Sequence, residues 1–297
     1  MGLKYLEMRR RILFVIILFS ALTSNAQLLW KISGNGLKSP SFLFGTHHIA
    51  PLSICDSIDG FKTAFAGCEQ LYGEINMDSI NVPYAQMKIA KYMLLPSDSL
   101  LNTLYSASEY QLVDSVLKKY LGFGAEQFNR FKPNVVSAQL SLVQSIKSFN
   151  GYDPQVQLDA TLQKKAKEQG KSVHGFETME FQAECLFDGP LKEQARDLLK
   201  MVKLGDRGIE YVRKMTNCYM KQDIDGMLTL MSDRELGMTD AEKKKLIDNR
   251  NRNWEKQLKG ILPEKPTFIV VGAGHLIGEN GLIKLLRKLG YTLSPVD

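Results

Sequence analysis

Two histidines follow glycines at the ends of apolar, β-rich runs, one near each end of the chain. Residues 41–51 read SFLFGTHHIAP, and residues 266–278 read PTFIVVGAGHLIG. Both have the form strand–Gly–x–x–His, and the histidines of the two motifs are His48 and His275. In sheets covered by helices, ligands bind outside the carboxyl ends of the strands, and glycine lets the backbone approach a bound group closely. The motif glycines that could serve a bound group in this way are Gly45, Gly272 and Gly274.

Two carboxylates end apolar runs in the same manner. Glu74 stands near the end of the predicted strand CEQLYGEINM, and Glu177 ends the predicted strand KSVHGFE. Two imidazoles and a carboxylate make an open site for a divalent metal, with positions left for water. We therefore expect His48, Glu74 and His275 to be metal ligands, and Glu177 to be a further ligand or a general base.

Simpler roles are open for each of these residues. A single histidine after a strand is usually a surface or hydrogen-bonded side chain. Adjacent residues diverge on a strand, so His47 is expected to face away from His48. His174 lies inside its predicted strand and is expected to pack or to cap rather than to bind a metal. Glu74 could be a strand-end charge, and Glu177 a carboxylate favoured by the helix dipole that follows it.

Several other chemistries have no sequence support. The chain lacks the H-E-x-x-H helix of zinc proteases, the phosphate-binding loop, the G-x-G-x-x-G fingerprint and the G-x-S-x-G elbow. Its four cysteines do not have C-x-x-C spacing, although an exported protein could pair them. A bridge between Cys55 and Cys68 is one possibility.

The first 26 residues have the composition of a secretory signal peptide. A basic stretch at 9–11 precedes an apolar run at 12–22, and small and polar residues lead to a predicted cleavage after Ala26. The apolar run is shorter than the ~20 residues of a membrane span. We expect export to the periplasm or secretion, with no membrane span after cleavage.

The charge of the chain is mild. The formal net charge is +6, and the first 26 residues hold four basic side chains against one acidic side chain, which leaves +3 for the rest. Since the sequence shows no basic face with interleaved aromatic residues, nucleic acid is not an expected partner.

The rest of the chain, residues 27–297, is predicted to be a single domain of α/β (α+β) class. Residues 28–46 read as a β-hairpin, and residues from about 81 to 260 are mostly helical, with one strand among the helices. The simplest assembly is a central mixed sheet built from the N- and C-terminal segments, with the large helical middle region packed on it. Such a sheet would bring His48 and His275 together.

A series of motifs in a fixed order extends these patterns along nearly the whole chain after residue 26. They are LLWKISG, FLFGTHHIAP, GEINM, RFKPNVVSAQLSL, LDATLQKKAKEQGKSVHGFETMEFQ, RNRNWEKQL and FIVVGAGHLIGENGLIKLLRKLGYTLSPV. In this order they resemble the TraB/GumN family, relatives of the Tiki metalloproteases.

The resemblance implies a divergent α/β fold related to the erythromycin esterases and the haem-binding ChaN proteins. It also implies a divalent-metal centre at His48, Glu74 and His275 and cleavage of a peptide or protein substrate. Manganese or cobalt is favoured by the resemblance, and zinc and iron stay open. Arg250 and Asn251 would position the substrate. The family's acidic residue two positions after the glutamate is here Asn76, so an acidic role at this position is not expected.

The residues and the resemblance together give a mechanistic hypothesis. A divalent ion activates water for attack on a peptide carbonyl. Glu177, or Glu74 if it is not a ligand, would take the proton, and Arg250 or Asn251 would stabilise the oxyanion. The alternative is a non-catalytic protein that binds haem or a peptide on the same fold. The carboxylate of Glu74 favours a metal ion over haem.

Overall fold

The structure is a computed structural model that describes residues 27–81, 83–148, 153 and 156–296. The predicted signal peptide, residues 1–26, lies outside these residues. Within them, no helix is long and apolar enough to cross a membrane.

The strands of the described residues form one six-stranded sheet in the order β4-β3-β5-β2-β1-β6. Their bounds are β1 Leu29–Gly34, β2 Ser41–Thr46, β3 Gln70–Ile75, β4 Ser172–Glu177, β5 Thr267–Gly272 and β6 Tyr291–Pro295. Strands β4, β3, β5 and β2 run parallel, whereas β1 and β6 are antiparallel to their neighbours. The predicted mixed sheet built from both ends of the chain is thereby confirmed, because β2 pairs directly with β5.

The unbroken apolar sequence of β5 follows from its central place. It lies between β3 and β2, and every residue from Thr267 to Val271 is buried. A strand covered on both faces needs apolar side chains on both faces, so the alternation typical of a half-exposed strand is absent. Edge strand β6 does alternate between buried and exposed residues over its first four positions.

Helices occupy most of the middle of the chain, and one further helix lies near each end of the described residues. They are α1 Phe61–Ala66, α2 Pro83–Met93, α3 Ala107–Leu121, α4 Pro133–Ser148, α5 Leu158–Glu168, α6 Met179–Phe187, α7 Leu191–Leu204, α8 Asp206–Met220, α9 Ile224–Met231, α10 Asp240–Lys243, α11 Asn249–Glu264 and α12 Leu282–Lys288. A π-helical turn, Lys244–Asp248, joins α10 to α11. Helix α3 shows how the sequence sets its ends: Ser106 and Glu109 form a capping box, and Gly122 ends the helix at φ +84°.

The buried side chains form two clusters. The larger cluster lies around the sheet and includes Phe44, Phe268 and Trp254. The second lies within the helical middle region and includes Val113 and Leu198. The helical region therefore has a core of its own, and the extension of a single domain over residues 27–297 stays a prediction.

The four parallel strands place their carboxyl ends at one edge of the sheet. Thr46 at the end of β2 pairs with Gly272 at the end of β5, so the two Gly-x-x-His motifs lie side by side. Strands β3 and β4 bring Glu74 and Glu177 to the same edge. This edge carries the candidate site.

The cysteines, all within the described residues, are free thiols. Cys55, Cys68 and Cys185 are buried, and Cys218 is partly buried. The bridge considered between Cys55 and Cys68 is not formed.

Candidate functional site

A buried guanidinium lies at the centre of the site. Arg250, in the first turn of α11, is 6% exposed, and its Cζ lies 4.9 Å from the centre of the Trp254 ring. Its Nη2 donates to Glu74 Oε2 at 2.5 Å and to Glu177 Oε2 at 2.9 Å. Its Nε donates to both oxygens of Glu177, and its Nη1 to the carbonyl oxygen of Leu246 in the π-helical turn. One positive charge thus faces two carboxylates.

Glu177 is the interior partner of this arginine. Its side chain is 1% exposed, and it also accepts a hydrogen bond of 2.9 Å from Nε1 of Trp254. Burial raises the pKa of Glu177, while the hydrogen bonds and charge of Arg250 oppose that shift. A carboxylate held in this way would have to leave Arg250 before it could act as the predicted general base.

Glu74 is the carboxylate that reaches the cavity. Its side chain is 13% exposed; Oε1 accepts from the backbone N–H of Gly272 at 2.8 Å, and Oε2 accepts from Gln182 at 3.0 Å as well as from Arg250. Burial acts to raise the pKa of Glu74, but His275, Arg250 and the N–H of Gly272 together lower it to about 2. Glu74 is therefore ionised at neutral pH.

The hydrogen bonds of His275 define its tautomer. The amide nitrogen of Asn251 donates to the carbonyl oxygens of His275 and Asn280, at 3.0 Å and 2.8 Å. The amide oxygen is consequently the acceptor that lies 2.7 Å from Nδ1 of His275, and Nδ1 carries the proton. The lone pair of Nε2 then faces Glu74 Oε1 at 3.8 Å and accepts from Nη1 of Arg250 at 3.2 Å.

His275 is held as a neutral ring. It is 4% exposed and its ring centre lies 4.4 Å from that of Trp254. Burial lowers the pKa of His275 to about 4, with Glu74 acting in the opposite direction and Arg250 in the same direction. The neutral imidazole is the form that binds metals, but in this structure its Nε2 lone pair is used by Arg250.

Asn251 stands behind the site. It is fully buried, and each of its polar side-chain atoms is used in the bonds to His275 and Asn280. The role predicted for Asn251, contact with a substrate or an oxyanion, would require these bonds to break. In the structure its contacts orient His275.

His48 lies at the mouth of the cavity, with 78% of its side chain exposed. Its Nδ1 is 3.3 Å from Asp159 Oδ2, and Asp159 Oδ1 accepts a hydrogen bond of 2.8 Å from the hydroxyl of Thr46. The hydrogen bond to Asp159 raises the pKa of His48, although solvent around an exposed side chain screens the attraction. The contacts described for His48 lead to Asp159 and not to His275.

The other two histidines pack elsewhere. Nε2 of His47 lies 3.2 Å from the hydroxyl oxygen of Thr216, and the His47 ring is edge-on to the ring of Tyr219. His174 stacks on Tyr72, with ring centres 4.8 Å apart. The stacking of His174 agrees with the packing expected for it, whereas for His47 only the side that it faces was predicted.

A cavity of about 340 Å³ opens beside Glu74 and His48. Its polar lining is His48, Glu74, Gln157, Asp159, Gln163 and Gln182. Its apolar lining is Ile75, Met77, Leu142 and Met179. The cavity therefore joins charged groups to an apolar wall of the kind that binds organic ligands.

The motif glycines serve contacts within the protein. A Cβ on Gly45 would lie 2.9 Å from a methyl group of Leu276 and 3.0 Å from the Cα of Ala273, and a Cβ on Gly274 would lie 3.1 Å from Met231. Gly272 contributes its N–H to Glu74. In this structure, Gly45 and Gly274 allow the turns around the site to pack closely.

Two of the three predicted metal ligands are adjacent. Glu74 and His275 meet at 3.8 Å, while His48 is bonded to Asp159. In the part of the chain that the structure describes, no group of three or more His, Cys, Asp or Glu side chains is arranged to hold a metal ion. The donor types suit a divalent ion, but the Nε2 lone pair of His275 cannot bind an ion and accept from Arg250 at once.

Sequence reasoning missed Asp159 and Gln182. Asp159 lies in the first turn of α5, where an acidic residue is ordinary. Gln182 lies inside α6, and no spacing in that helix connects it to Glu74. Both residues fall within the motif LDATLQKKAKEQGKSVHGFETMEFQ. Their contacts, however, depend on how α5 and α6 pack at the sheet edge.

The sequence of the chain matches one family model and two named proteins. A family model described as TraB/PrgY/gumN family matches residues 28–295. The chain is 21% identical over 322 residues to a protein named metalloprotease TIKI homolog from Amphimedon queenslandica, over 91% of this chain and 61% of that protein. It is 40% identical over 52 residues to metalloprotease TIKI1 of Xenopus tropicalis, over 16% of this chain and 10% of that protein. The chain thus spans about three fifths of the length of one relative and a tenth of the other. No solved structure matches it.

Proposed function

The chain belongs to the TraB/PrgY/gumN family, and from this membership and the geometry of the site we propose that it is a divalent-metal-dependent hydrolase that acts on peptides. Two relatives carry the name metalloprotease. The observation that supports the proposal most strongly is the presentation of His275: Asn251 holds its Nδ1, and Nε2 faces the ionised Glu74.

The charge of the site also favours a cation. Glu74 and Glu177 share one buried guanidinium, whereas the carboxylate of Asp159 at the cavity wall has His48 as its partner. Burying two carboxylates against one positive charge leaves an excess of negative charge, which a bound cation would offset. We propose that His275, Glu74 and His48 hold that cation.

When bound, a divalent ion polarises a carbonyl and makes water more acidic. The residues of the chain prepare for this chemistry in three ways. Asn251 fixes the ring of His275, Gln182 and the N–H of Gly272 fix the carboxylate of Glu74, and Arg250 keeps Glu74 ionised. Arg250 would have to release Nε2 of His275 when the ion enters, while its bonds to Glu177 keep the guanidinium in place.

The cavity supports a peptide as the substrate class. Its apolar wall, formed by Ile75, Met77, Leu142 and Met179, lies beside the polar groups at Glu74. An apolar side chain could rest on this wall, with the neighbouring backbone amide near the carboxylate. The predicted export of the protein would place such a site among extracellular or periplasmic peptides.

Metal content tests the proposal. Protein purified without chelator would be offered manganese, cobalt, zinc or iron, and bound metal per chain measured for the parent and for His48→Ala, His275→Ala and His174→Ala. We expect one ion in the parent, loss in the first two variants, and no change in the third, whose histidine packs on Tyr72. A folded parent that binds none of these ions would refute the metal-dependent mechanism and would favour peptide binding without cleavage.

A further inference from the structure

The carboxylate of Asp159 joins two residues of the first Gly-x-x-His motif. Its Oδ1 accepts from the hydroxyl of Thr46 at 2.8 Å, and its Oδ2 lies 3.3 Å from Nδ1 of His48. Thr46 is 3% exposed, as befits the last residue of β2. The bond to Thr46 therefore fastens a carboxylate from α5 to the sheet, and that carboxylate in turn contacts the otherwise exposed ring of His48.

The second motif is built in the same way. An oxygen of Asn251, fixed by the other bonds of its own amide group, lies 2.7 Å from Nδ1 of His275. In both motifs a side-chain oxygen from a helix binds Nδ1 of the histidine. In both, the ring turns Nε2 away from that oxygen, and in His275 this nitrogen accepts from Arg250.

We propose that Asp159 is a positioning residue of the site, which holds His48 in the Nδ1–H tautomer so that Nε2 is presented to the ion. The inference deepens the proposed metal site and rests on it. Partners of this kind orient metal-binding histidines, and their loss typically weakens metal binding about 10- to 100-fold. Asp159 is suited to the role because it lines the same cavity as Glu74 and His48.

Asp159 also has an ordinary structural role to be separated from this one. It lies in the first turn of α5, where a negative charge is favoured by the helix dipole. Loss of the carboxylate would lower helix stability in either case. Only the positioning role makes the tautomer of His48 depend on Asp159.

The first test reads the tautomer without any metal. Nitrogen NMR of the histidine rings would be recorded for the metal-free parent, Asp159→Ala and Glu168→Gln, at a pH where the ring of His48 is neutral. Glu168 is an exposed carboxylate of the same helix and provides the control. We expect the Nδ1–H form of His48 in the parent and the control, and a mixture with the Nε2–H form in Asp159→Ala. The same tautomer in all three proteins would overturn the inference.

The second test measures the manganese dissociation constant. We expect it to rise about 10- to 100-fold in Asp159→Ala, with a smaller rise in Thr46→Val and recovery in Thr46→Ser, because serine restores the hydroxyl. Thr46→Val keeps the charge of α5, so it serves if Asp159→Ala does not fold. Unchanged affinity in every variant would overturn the inference.

The two tests also separate the inference from the proposed function. If the parent binds no metal, the proposed function fails, and the tautomer measurement still decides whether Asp159 holds His48. If the parent binds metal and the tautomer of His48 is independent of Asp159, only the inference fails.

Discussion

The amide oxygen of Asn251 lies 2.7 Å from Nδ1 of His275, and both residues are buried. This contact determines which ring nitrogen faces Glu74. A residue of α11 thus sets the chemistry available at the end of β5, although its own side chain has no place on the cavity wall.

Replacement of Asn251 by alanine should affect stability and metal binding together. The N–H at Nδ1 of His275 and two carbonyl oxygens would lose their partner, and an unsatisfied buried group costs about 1–3 kcal/mol. We expect a loss of this order in the free energy of unfolding, measured with urea, and a rise of about 10- to 100-fold in the metal dissociation constant. Asn253→Ala, at an exposed position of the same helix, should change neither.

Replacement of Arg250 by glutamine should be strongly destabilising. It would leave Glu74 and Glu177 buried without their positive partner, and breaking a buried ion pair on one side costs about 3–5 kcal/mol. The exposed neighbour offers the control Arg252→Gln, for which we expect little change. A loss of the same small size in both variants would mean that Arg250 does not hold the cluster together.

The effect of Arg250→Gln should depend on pH in a defined direction. In the parent, the pKa of Glu74 is lowered to about 2, so its contribution to stability is present above its ordinary value of about 4.3 and lost as the pH falls toward 2. In the variant, the pKa values of both carboxylates rise, and the folded state favours their protonated forms. The difference in unfolding free energy between parent and variant should therefore be largest at neutral pH and smaller in acid.

His47 should make the protein sensitive to mild acid. Burial lowers its pKa to about 4, helped by His48 and opposed by Asp159, whereas an unfolded histidine titrates near 6.5. Between these values the unfolded chain binds more protons, so stability falls as the pH decreases from about 6.5 to 4. The contribution of one such group is at most about 1.4 kcal/mol per pH unit.

The variant His47→Gln removes this titration. Urea unfolding across the same pH range should show a shallower dependence than in the parent, with the remaining slope coming from His275, whose pKa is also lowered to about 4. An identical slope in both proteins would contradict the assignment of His47 as a partly buried, neutral ring.

The close contact between the two Gly-x-x-His motifs should make Gly45 intolerant of a side chain. A Cβ there would meet Leu276 at 2.9 Å and the backbone of Ala273 at 3.0 Å. Such overpacking typically costs about 1–3 kcal/mol. Gly45→Ala should lower the free energy of unfolding by this order and weaken metal binding, since Ala273 precedes His275 in the same turn.

A glycine of α11 provides the matched substitution. Gly260 is exposed, and a Cβ on it would meet nothing within 4 Å. Since alanine is favoured over glycine inside a helix by about 0.5–1 kcal/mol, Gly260→Ala should stabilise the protein. If both glycine substitutions changed the free energy of unfolding equally, close packing between the two motifs would not explain the effect at Gly45.

The sequence predicts the sheet edge well because strand patterns are local. Apolar runs ending in Gly-x-x-His identify the ends of β2 and β5, and the matching form of the two motifs predicts that these strands share a sheet. The placements of Glu74 and Glu177 follow from the same reasoning. Each strand end is predicted from residues within a few positions of the chain, and only the pairing of β2 with β5 depends on comparing two distant segments.

The partners of the site residues depend instead on helix packing, which local patterns do not report. Asp159 is 111 positions from His48, and in sequence it is one more acidic residue in a first helical turn. Arg250 was expected to face a substrate, but the face of α11 on which it lies is turned to the sheet edge. The guanidinium of Arg250 therefore hydrogen-bonds to Glu74 and Glu177 instead of facing a substrate.

The two carboxylates should respond differently to neutralisation. Glu74 lines the cavity and is 13% exposed, whereas the side chain of Glu177 is 1% exposed and bonded to Arg250 and Trp254. We expect Glu74→Gln to abolish metal binding and peptide cleavage, because an amide is a poor ligand for a divalent ion, with the fold retained.

In Glu177→Gln, one carboxylate still balances Arg250, and the amide oxygen can accept from Trp254. We therefore expect a loss of stability on the order of 1–3 kcal/mol with metal stoichiometry unchanged. Unfolding free energy and metal content measured on the two variants would separate these roles. If Glu177→Gln keeps its metal and stability but loses turnover, Glu177 takes a proton during the reaction, and the buried geometry opens when substrate binds.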